Sequence, residues 1–370
     1  MRPMHVAPRF LFIPVSGPGG AGEYYRSLAI AAGLRRRWPD CAIRFLLNRD
    51  APYAATSPFP VSLLDDSPTR ATARVNACIV AERPDVVIFD SAGRVAQYRA
   101  ARRNGAGVVY VSSRPKTRWK GFKWRRMNLL DQHWIAQPEF LGGVLTRWQR
   151  LKLRLAGKPR VLFLDALHEP IDPGGTEEYQ QRLGAIPGKY VLLCPGGGGV
   201  FEKGVDAAQV FFDAARQLAV GNKELFVAVL GPRISEQSLN SALPPNLKIL
   251  SSVPNGILLG LIRGAALSAV NGGSLMLQSL TQSVPLVAAP IAQDQIERVR
   301  LCADAGYIVA ASLEATSLAT AVRSLLDDES SRRLMQARVG HLGLRNGSDA
   351  ATDAVEQLLN ERGQYMEVRQ

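Results

Sequence analysis

Short apolar runs alternate with helix-forming stretches along the whole 370-residue chain. Uninterrupted apolar runs of this length mark strands buried on both faces, and the helical stretches between them are the crossovers that parallel sheets require. In the first half, strands are expected near Arg9–Val15, Ile43–Asn48, Val86–Asp90, Val108–Ser112 and His133–Ala136. Helices near Tyr24–Arg37, Thr69–Glu82 and Arg94–Asn104 separate the first four. From Asp165 to Lys189 the chain is rich in Pro, Gly and Glu and reads as a linker. The alternation restarts with a strand at Tyr190–Cys194, a helix at Val205–Ala219, and strands at Leu225–Leu230, Leu247–Leu250 and Ala266–Val270. A helix at Leu275–Thr281, a strand at Pro285–Ala289 and a helix from near Gln295 follow. The predicted fold class is α/β, with two Rossmann-like domains facing a cleft. They span 1–165 and 190–345, joined by the linker 166–189 and followed by a C-terminal helix and tail, 346–370. The length agrees with roughly 150 residues per domain.

Each round opens on a strand that runs into a glycine loop. The first is Gly17-Pro18-Gly19-Gly20-Ala21-Gly22-Glu23 and the second Pro195-Gly196-Gly197-Gly198-Gly199. Glycines there permit unusual dihedrals and let the backbone approach a ligand closely. Neither loop has the dinucleotide spacing, and neither is followed by Gly-Lys-Ser/Thr, which disfavours a P-loop nucleotidase or kinase.

The chain carries a formal charge of +13, and one segment holds the excess. Residues 94–160 contain 17 Lys/Arg against two acidic residues, Asp131 and Glu139, together with four of the five tryptophans. The densest part includes Arg118, Trp119, Lys120, Lys123, Trp124, Arg125 and Arg126. Aromatic rings among cations suit an anionic membrane interface or an anionic acceptor. The same mixture would suit nucleic acid, but no zinc-finger spacing, RNA-recognition signature or basic zipper is present, so nucleic acid is not an expected partner. A solvated basic loop with no specific partner stays open.

The four cysteines (Cys41, Cys78, Cys194, Cys302) lie far apart and indicate neither a zinc site nor a disulfide framework. The apolar stretch 10–15 is too short for a signal core, and no run approaches the roughly 20 residues that span a bilayer. The expected location is cytoplasmic, peripheral on the inner face of the membrane.

The segment Asn271-Gly272-Gly273-Ser274-Leu275-Met276-Leu277-Gln278, continuing through Pro285 and Pro290 to Asp294-Gln295, resembles the donor-binding signature of GT-B glycosyltransferases that use nucleotide sugars. Gly272, Pro285, Pro290, Asp294 and Gln295 fall in register with it. The loop Gly19-Gly20-Ala21-Gly22-Glu23 is similar to the N-terminal glycine loop of the enzymes that transfer N-acetylglucosamine to lipid I. The resemblance covers nearly the whole chain and implies an inverting transferase that needs no metal or other cofactor, with a nucleotide sugar as co-substrate. The chain lacks an Asp-x-Asp metal motif at a strand end, and Asp327-Asp328-Glu329 reads as a solvated helix end. Two departures stand out. Gln278 occupies the place of the acidic residue that contacts the donor ribose, and Glu23 replaces the histidine of the N-terminal loop. An amide still donates and accepts hydrogen bonds, but carries no charge.

An inverting transfer needs a base near the acceptor hydroxyl and stabilisation of the departing diphosphate. Glu23, at the end of the first glycine loop, is the first candidate base. Asp90, closing the run Val86-Val-Ile-Phe89, is the alternative base or a partner that holds the acceptor. Gly20, Gly22, Tyr24 and Arg26 are expected beside the acceptor. The N–H groups of Gly197, Gly198, Gly199, Gly273 and Ser274 would cradle the diphosphate beside Gly272, with Arg233 near phosphate or base, Gln278 at the ribose, and Asp294 and Gln295 at the donor sugar. The leading function is transfer of a sugar, most simply from a UDP sugar, to a lipid-linked or other anionic glycan acceptor at the cytoplasmic membrane face. A nucleotide-sugar hydrolase or epimerase of the same fold, or a non-enzymatic basic binding protein on a degenerate GT-B scaffold, are the alternatives.

Overall fold

The computed structural model describes residues 7–17, 22–196, 200–201, 204–231 and 243–363. They divide into two compact units, one running to Glu169 and resuming at Arg345, the other spanning Pro170–Leu344.

The first unit contains strands β1 (Arg9–Pro14), β2 (Ala42–Asn48), β3 (Val61–Leu64), β4 (Val86–Asp90), β5 (Gly107–Ser112), β6 (Gln132–Ile135) and β7 (Arg160–Phe163). Its helices are α1 (Gly22–Arg37), α2 (Thr72–Glu82), α3 (Val95–Arg103), α4 (Pro115–Gly121), α5 (Trp124–Met127), α6 (Glu139–Gly142) and α7 (Arg147–Ala156). All seven strands are parallel, in the order β3-β2-β1-β4-β5-β6-β7. The central strands are buried along their length because helices cover both faces, which is why β4 reads as a continuous apolar run. Successive side chains of β1 serve opposite faces: Phe10 and Phe12 join one core cluster, Leu11 and Ile13 the other.

The C-terminal helix, Gly347–Glu361, belongs to this unit. Ala351, Ala354, Val355, Leu358 and Leu359 enter the core beneath α1. Buried Gln132 fixes the register: its Nε2 donates to the Ala354 carbonyl at 2.7 Å while its Oε1 accepts from Trp134 Nε1 at 2.8 Å.

The second unit has strands β8 (Tyr190–Cys194), β9 (Val200–Phe201), β10 (Val205–Asp206), β11 (Leu225–Val229), β12 (Leu247–Leu250), β13 (Leu267–Asn271), β14 (Leu286–Ala289) and β15 (Val309–Ala310). Helices α8 (Pro173–Leu183), α9 (Ala207–Ala219), α10 (Asn255–Gly264), α11 (Ser274–Leu280), α12 (Gln293–Asp304), α13 (Ala315–Asp327) and α14 (Glu329–His341) accompany them. Six strands form a parallel sheet in the order β12-β11-β8-β13-β14-β15, and β9 pairs antiparallel with β10. Asp328 of the acidic run Asp327-Asp328-Glu329 caps α14.

The structure departs from the sequence expectations at several places, and helices α4–α6, α10, α13 and α14 with the two-residue strands β9 and β15 also lie outside the expected elements. The stretch expected as a linker holds α8, because Pro173 is compatible with a first helical turn and Asp172 caps it through the Gly175 N–H at 3.0 Å. Residues 205–206 pair as strand, so α9 starts two residues later, behind the cap Asp206. Strands β3 and β7, four residues each at the two edges of the sheet, went unread. Helix α7 also went unread, its apolar residues being embedded in the basic segment.

Both sheets reverse direction of winding at their first strand, between β1 and β4 and between β8 and β13. In open α/β sheets, ligands bind beyond the carboxyl ends of the strands at such a switch point.

Candidate active site

The carboxyl ends of β1 and β4 carry the first glycine loop and Asp90. Gly20 lies outside the described residues, whereas Gly22 opens α1 and Glu23 follows it, half-buried. Asp90 is completely buried and receives a two-pronged contact from Arg26: Nε to Oδ2 at 2.8 Å and Nη2 to Oδ1 at 2.6 Å. Hydroxyls of Ser27 and Ser91 add longer contacts at 3.4 Å. Burial pushes the Asp90 carboxyl up to about 6, against the pull of the Arg26 guanidinium. With both oxygens engaged by donors and no exposed surface, Asp90 is placed to anchor α1 over the switch point, and Arg26 is committed to Asp90.

Tyr24 also sits differently from a side chain that meets an acceptor. Its ring is 2% exposed and stacks on Tyr53 with centroids 4.3 Å apart. The neighbouring Tyr25 is the exposed aromatic of this turn, at 61%.

In the second unit, Gly197, Gly198, Gly199 and Arg233 lie outside the described residues. The remaining motif is organised by Asn271, the last residue of β13. Its Nδ2 donates to the Pro195 carbonyl at 2.6 Å, and its Oδ1 accepts from the Gly273 N–H at 2.7 Å. One amide thus ties the end of the first loop to the turn that enters α11. Gly196 adopts φ +75°, and a Cβ there would lie 2.1 Å from Asn271 Nδ2. The Gly273 N–H, expected to face a diphosphate, is engaged by Asn271; the exposed Ser274 begins α11.

Gly272 is held from behind by α12. Arg298 Nη1 donates to its carbonyl at 3.1 Å, and a Cβ on Gly272 would lie 2.3 Å from Val299 Cγ2. Gln295 is half-buried and accepts from the Ile291 N–H through Oε1 at 2.9 Å, while Asp294 is exposed in the first turn of α12. Gln278 accepts from Asn255 Nδ2 at 3.2 Å. The structure therefore brings Gly272, Gly273, Ser274 and Gln295 around one turn. Asn271, Arg298 and Asn255 were not anticipated. A polar residue ending an apolar strand was the available signal for Asn271; the others pair across elements that no local pattern links.

Comparison with known proteins adds the fold. No protein-family model matches the chain, and no curated protein matches it in sequence. Solved structures match over nearly the whole length. The calicheamicin glycosyltransferase CalG4 superposes with a TM-score of 0.61 at 18% identity, covering 96% of this chain and 99% of its own. The glycosyltransferase MurG of Acinetobacter baumannii gives 0.63 at 15% identity, covering 95% and 99%. A Listeria monocytogenes protein named for UDP-N-acetylglucosamine 2-epimerase activity gives 0.58 at 13% identity, covering 98% of each chain. The chain has the GT-B fold. Within that GT-B scaffold, the two switch points coincide with the two glycine loops.

The basic segment runs from the start of α3 to the start of β7, and its densest part forms α4 and α5. Trp119 and Trp124 are exposed, Lys123 Nζ sits 4.2 Å from the Trp119 ring centre, and Arg125 is exposed. Lys120 is half-buried, and burial together with surrounding cations lowers its affinity for a proton. Arg118 and Arg126 are structural as well as basic. Arg118 donates to the carbonyls of Gly142 and Val144, and Arg126 Nη2 donates to the Gly93 carbonyl at 3.3 Å. Beneath α4, His133 is buried with Nε2 2.9 Å from Ser112 Oγ, and burial pushes its imidazole down to about 3, so it stays neutral. Among the described residues, no helix is long and apolar enough to cross a membrane.

Proposed function

We propose that this chain is an inverting glycosyltransferase moving a sugar from a nucleotide sugar, in the simplest case a UDP sugar, to a lipid-linked or other anionic glycan acceptor at the cytoplasmic face of a membrane. The observation that carries the reading is the Asn271 staple. It shapes a glycine turn at the second switch point, where the sequence resembles a donor signature. In this reading the N–H groups of Gly197–Gly199 and Ser274 hold the diphosphate. Gln278 meets the ribose, Asp294 and Gln295 meet the sugar hydroxyls, and Arg233 borders phosphate or base.

Glu23 accepts the proton of the acceptor hydroxyl as the new C1–O bond forms and the bond from C1 to the diphosphate oxygen breaks. Arg26 and Asp90 act through α1, holding Glu23 in place. No bound metal takes part in the scheme. The cations of the basic segment meet the anionic acceptor or the lipid surface around it.

The test is a thermal-shift screen of nucleotide sugars, followed by transfer assays with chelator present and NMR of the product anomer. Stabilisation by one donor and an inverted product are expected. Release of free sugar in the absence of any acceptor would instead favour a hydrolase or epimerase, a reading supported by the Listeria fold relative. Failure to bind uridine diphosphate at all would favour a non-enzymatic binding protein.

A further inference from the structure

Helix α7 is unusual in this molecule because none of its ten residues is buried. It is closed properly at both ends: Thr146 Oγ1 accepts from the Gln149 N–H at 3.2 Å, and Gly157 ends it in the left-handed conformation. The sequence Arg147-Trp-Gln-Arg-Leu-Lys-Leu-Arg-Leu-Ala156 contains no acidic residue. At 100° per residue, Trp148, Leu151 and Leu155 fall within about 60° of one another. All three are exposed, at 73%, 43% and 70%. Arg147, Arg150 and Arg154 border this stripe on one side and are exposed too. Half-buried Gln149 and Leu153 turn away from the stripe, and half-buried Lys152, on its other border, donates from Nζ to the Phe122 carbonyl at 3.4 Å, which seats α7 beside the α4–α5 connection.

An exposed apolar stripe with a tryptophan, edged by arginines and free of carboxylates, has the composition of a helix lying in the headgroup layer of an anionic bilayer. The charge decides among occupants. A second copy of this chain would bring a like-charged helix against α7, and an uncharged apolar partner would leave three guanidinium groups without counter-charge, whereas anionic headgroups supply both chemistries at once. We propose that α7 is the membrane-docking element of this protein, with Trp148, Leu151 and Leu155 entering the interface and Arg147, Arg150 and Arg154 meeting lipid phosphates. This deepens the membrane contact within the proposed function and moves its centre from residues 118–126, two of whose arginines are engaged with backbone carbonyls, to α7.

The test is co-sedimentation of the full chain with vesicles of phosphatidylglycerol and phosphatidylcholine in equal parts, or of phosphatidylcholine alone. The wild type should partition onto the anionic vesicles only. Trp148→Ser/Leu151→Ser/Leu155→Ser should lower that partition at least about ten-fold. Arg147→Gln/Arg150→Gln/Arg154→Gln should also lower it and flatten its salt dependence. Both variants should melt like wild type, because no buried contact is touched. If the wild type binds anionic vesicles and the serine variant binds equally well, α7 is not the docking element, although the membrane reading survives. If the wild type does not bind, both fall. A wild-type dimer that the serine variant converts to monomer, without vesicle binding, would make the stripe an interface between copies and overturn the proposal.

Discussion

Arg26 and Asp90 form a bidentate ion pair, 2.8 and 2.6 Å, in which the carboxylate is fully buried and only 14% of the arginine side chain is exposed. The pair joins α1 to the carboxyl end of β4, so the orientation of the turn bearing Glu23 depends on it. Burial and pairing act on the Asp90 carboxyl in opposite directions. Burial raises the Asp90 carboxyl more than the guanidinium lowers it, so the contact contributes geometry more than stability.

Replacing Arg26 by Met removes the one strong force favouring the Asp90 carboxylate. Asp90 must then stay protonated or ionise without a partner, and the cost rises with pH. The stability gap between wild type and Arg26→Met should be wider at pH 8 than at pH 5 by about 1–3 kcal/mol. Urea unfolding at the two pH values measures this; a gap independent of pH would show that the pair does not control Asp90.

In the wild type, the ordinary carboxyl value of 3.8 becomes about 6 in the folded protein. The native state therefore holds this proton more tightly than the unfolded chain. The stability supplied by Asp90 is fully present below pH 4, is lost as pH rises through about 6, and is level above. Turnover should move the other way, falling below about pH 6 as protonation releases the bidentate contact. Activity and unfolding profiles between pH 4 and 8 should thus diverge, and in the stability profile Asp90→Asn should lack the component between 4 and 6.

What the sequence disclosed follows from the range of the forces involved. Central strands such as Val86–Asp90 are legible because burial on both faces leaves a continuous apolar run. The glycine loops are legible because backbone approach excludes side chains locally. Edge strands β3 and β7 are four residues long and partly exposed, too short to show a period. The pairings of Arg26 with Asp90 and of Asn271 with Pro195 join residues 64 and 76 positions apart, beyond any local signal. The glycine-loop resemblance sets Tyr24 beside the acceptor, yet the phase of α1 turns its ring onto Tyr53 and the core.

Glu23→Gln should lower kcat by two orders of magnitude or more, on the order of 10²–10⁴ for a general base, while leaving the donor dissociation constant within about two-fold. Stopped-assay kinetics together with calorimetry of the nucleotide sugar separate the two. Turnover like wild type would remove Glu23 from the scheme.

Gly272→Ala would set a Cβ 2.3 Å from Val299 Cγ2, against a buried side chain on α12. The expected destabilisation is about 1–3 kcal/mol, from forced displacement of α12. Val299→Ala removes the obstructing methyl groups, so the double variant should be more stable than the sum of the two single effects predicts. Thermal melts of the four proteins close the cycle; strict additivity would mean that α12 moves away without cost.

Gln278 offers the sharpest test of the donor side, because its replacement restores the acidic residue of the motif that this chain resembles. Asn255 Nδ2 already donates to Oε1 at 3.2 Å, so a carboxylate placed there keeps an existing donor and adds a charged acceptor for vicinal hydroxyls. Hydrogen bonds to a charged group contribute about 1–2 kcal/mol more than neutral ones. Gln278→Glu should accordingly tighten binding of a nucleotide sugar by roughly five-fold to thirty-fold. The gain should vanish for a 2′,3′-dideoxyribose analogue, which has no hydroxyl to donate. Calorimetry with the two ligands provides the measurement. Equal tightening for both would place Gln278 away from the ribose and make its effect a general one on the field around α11.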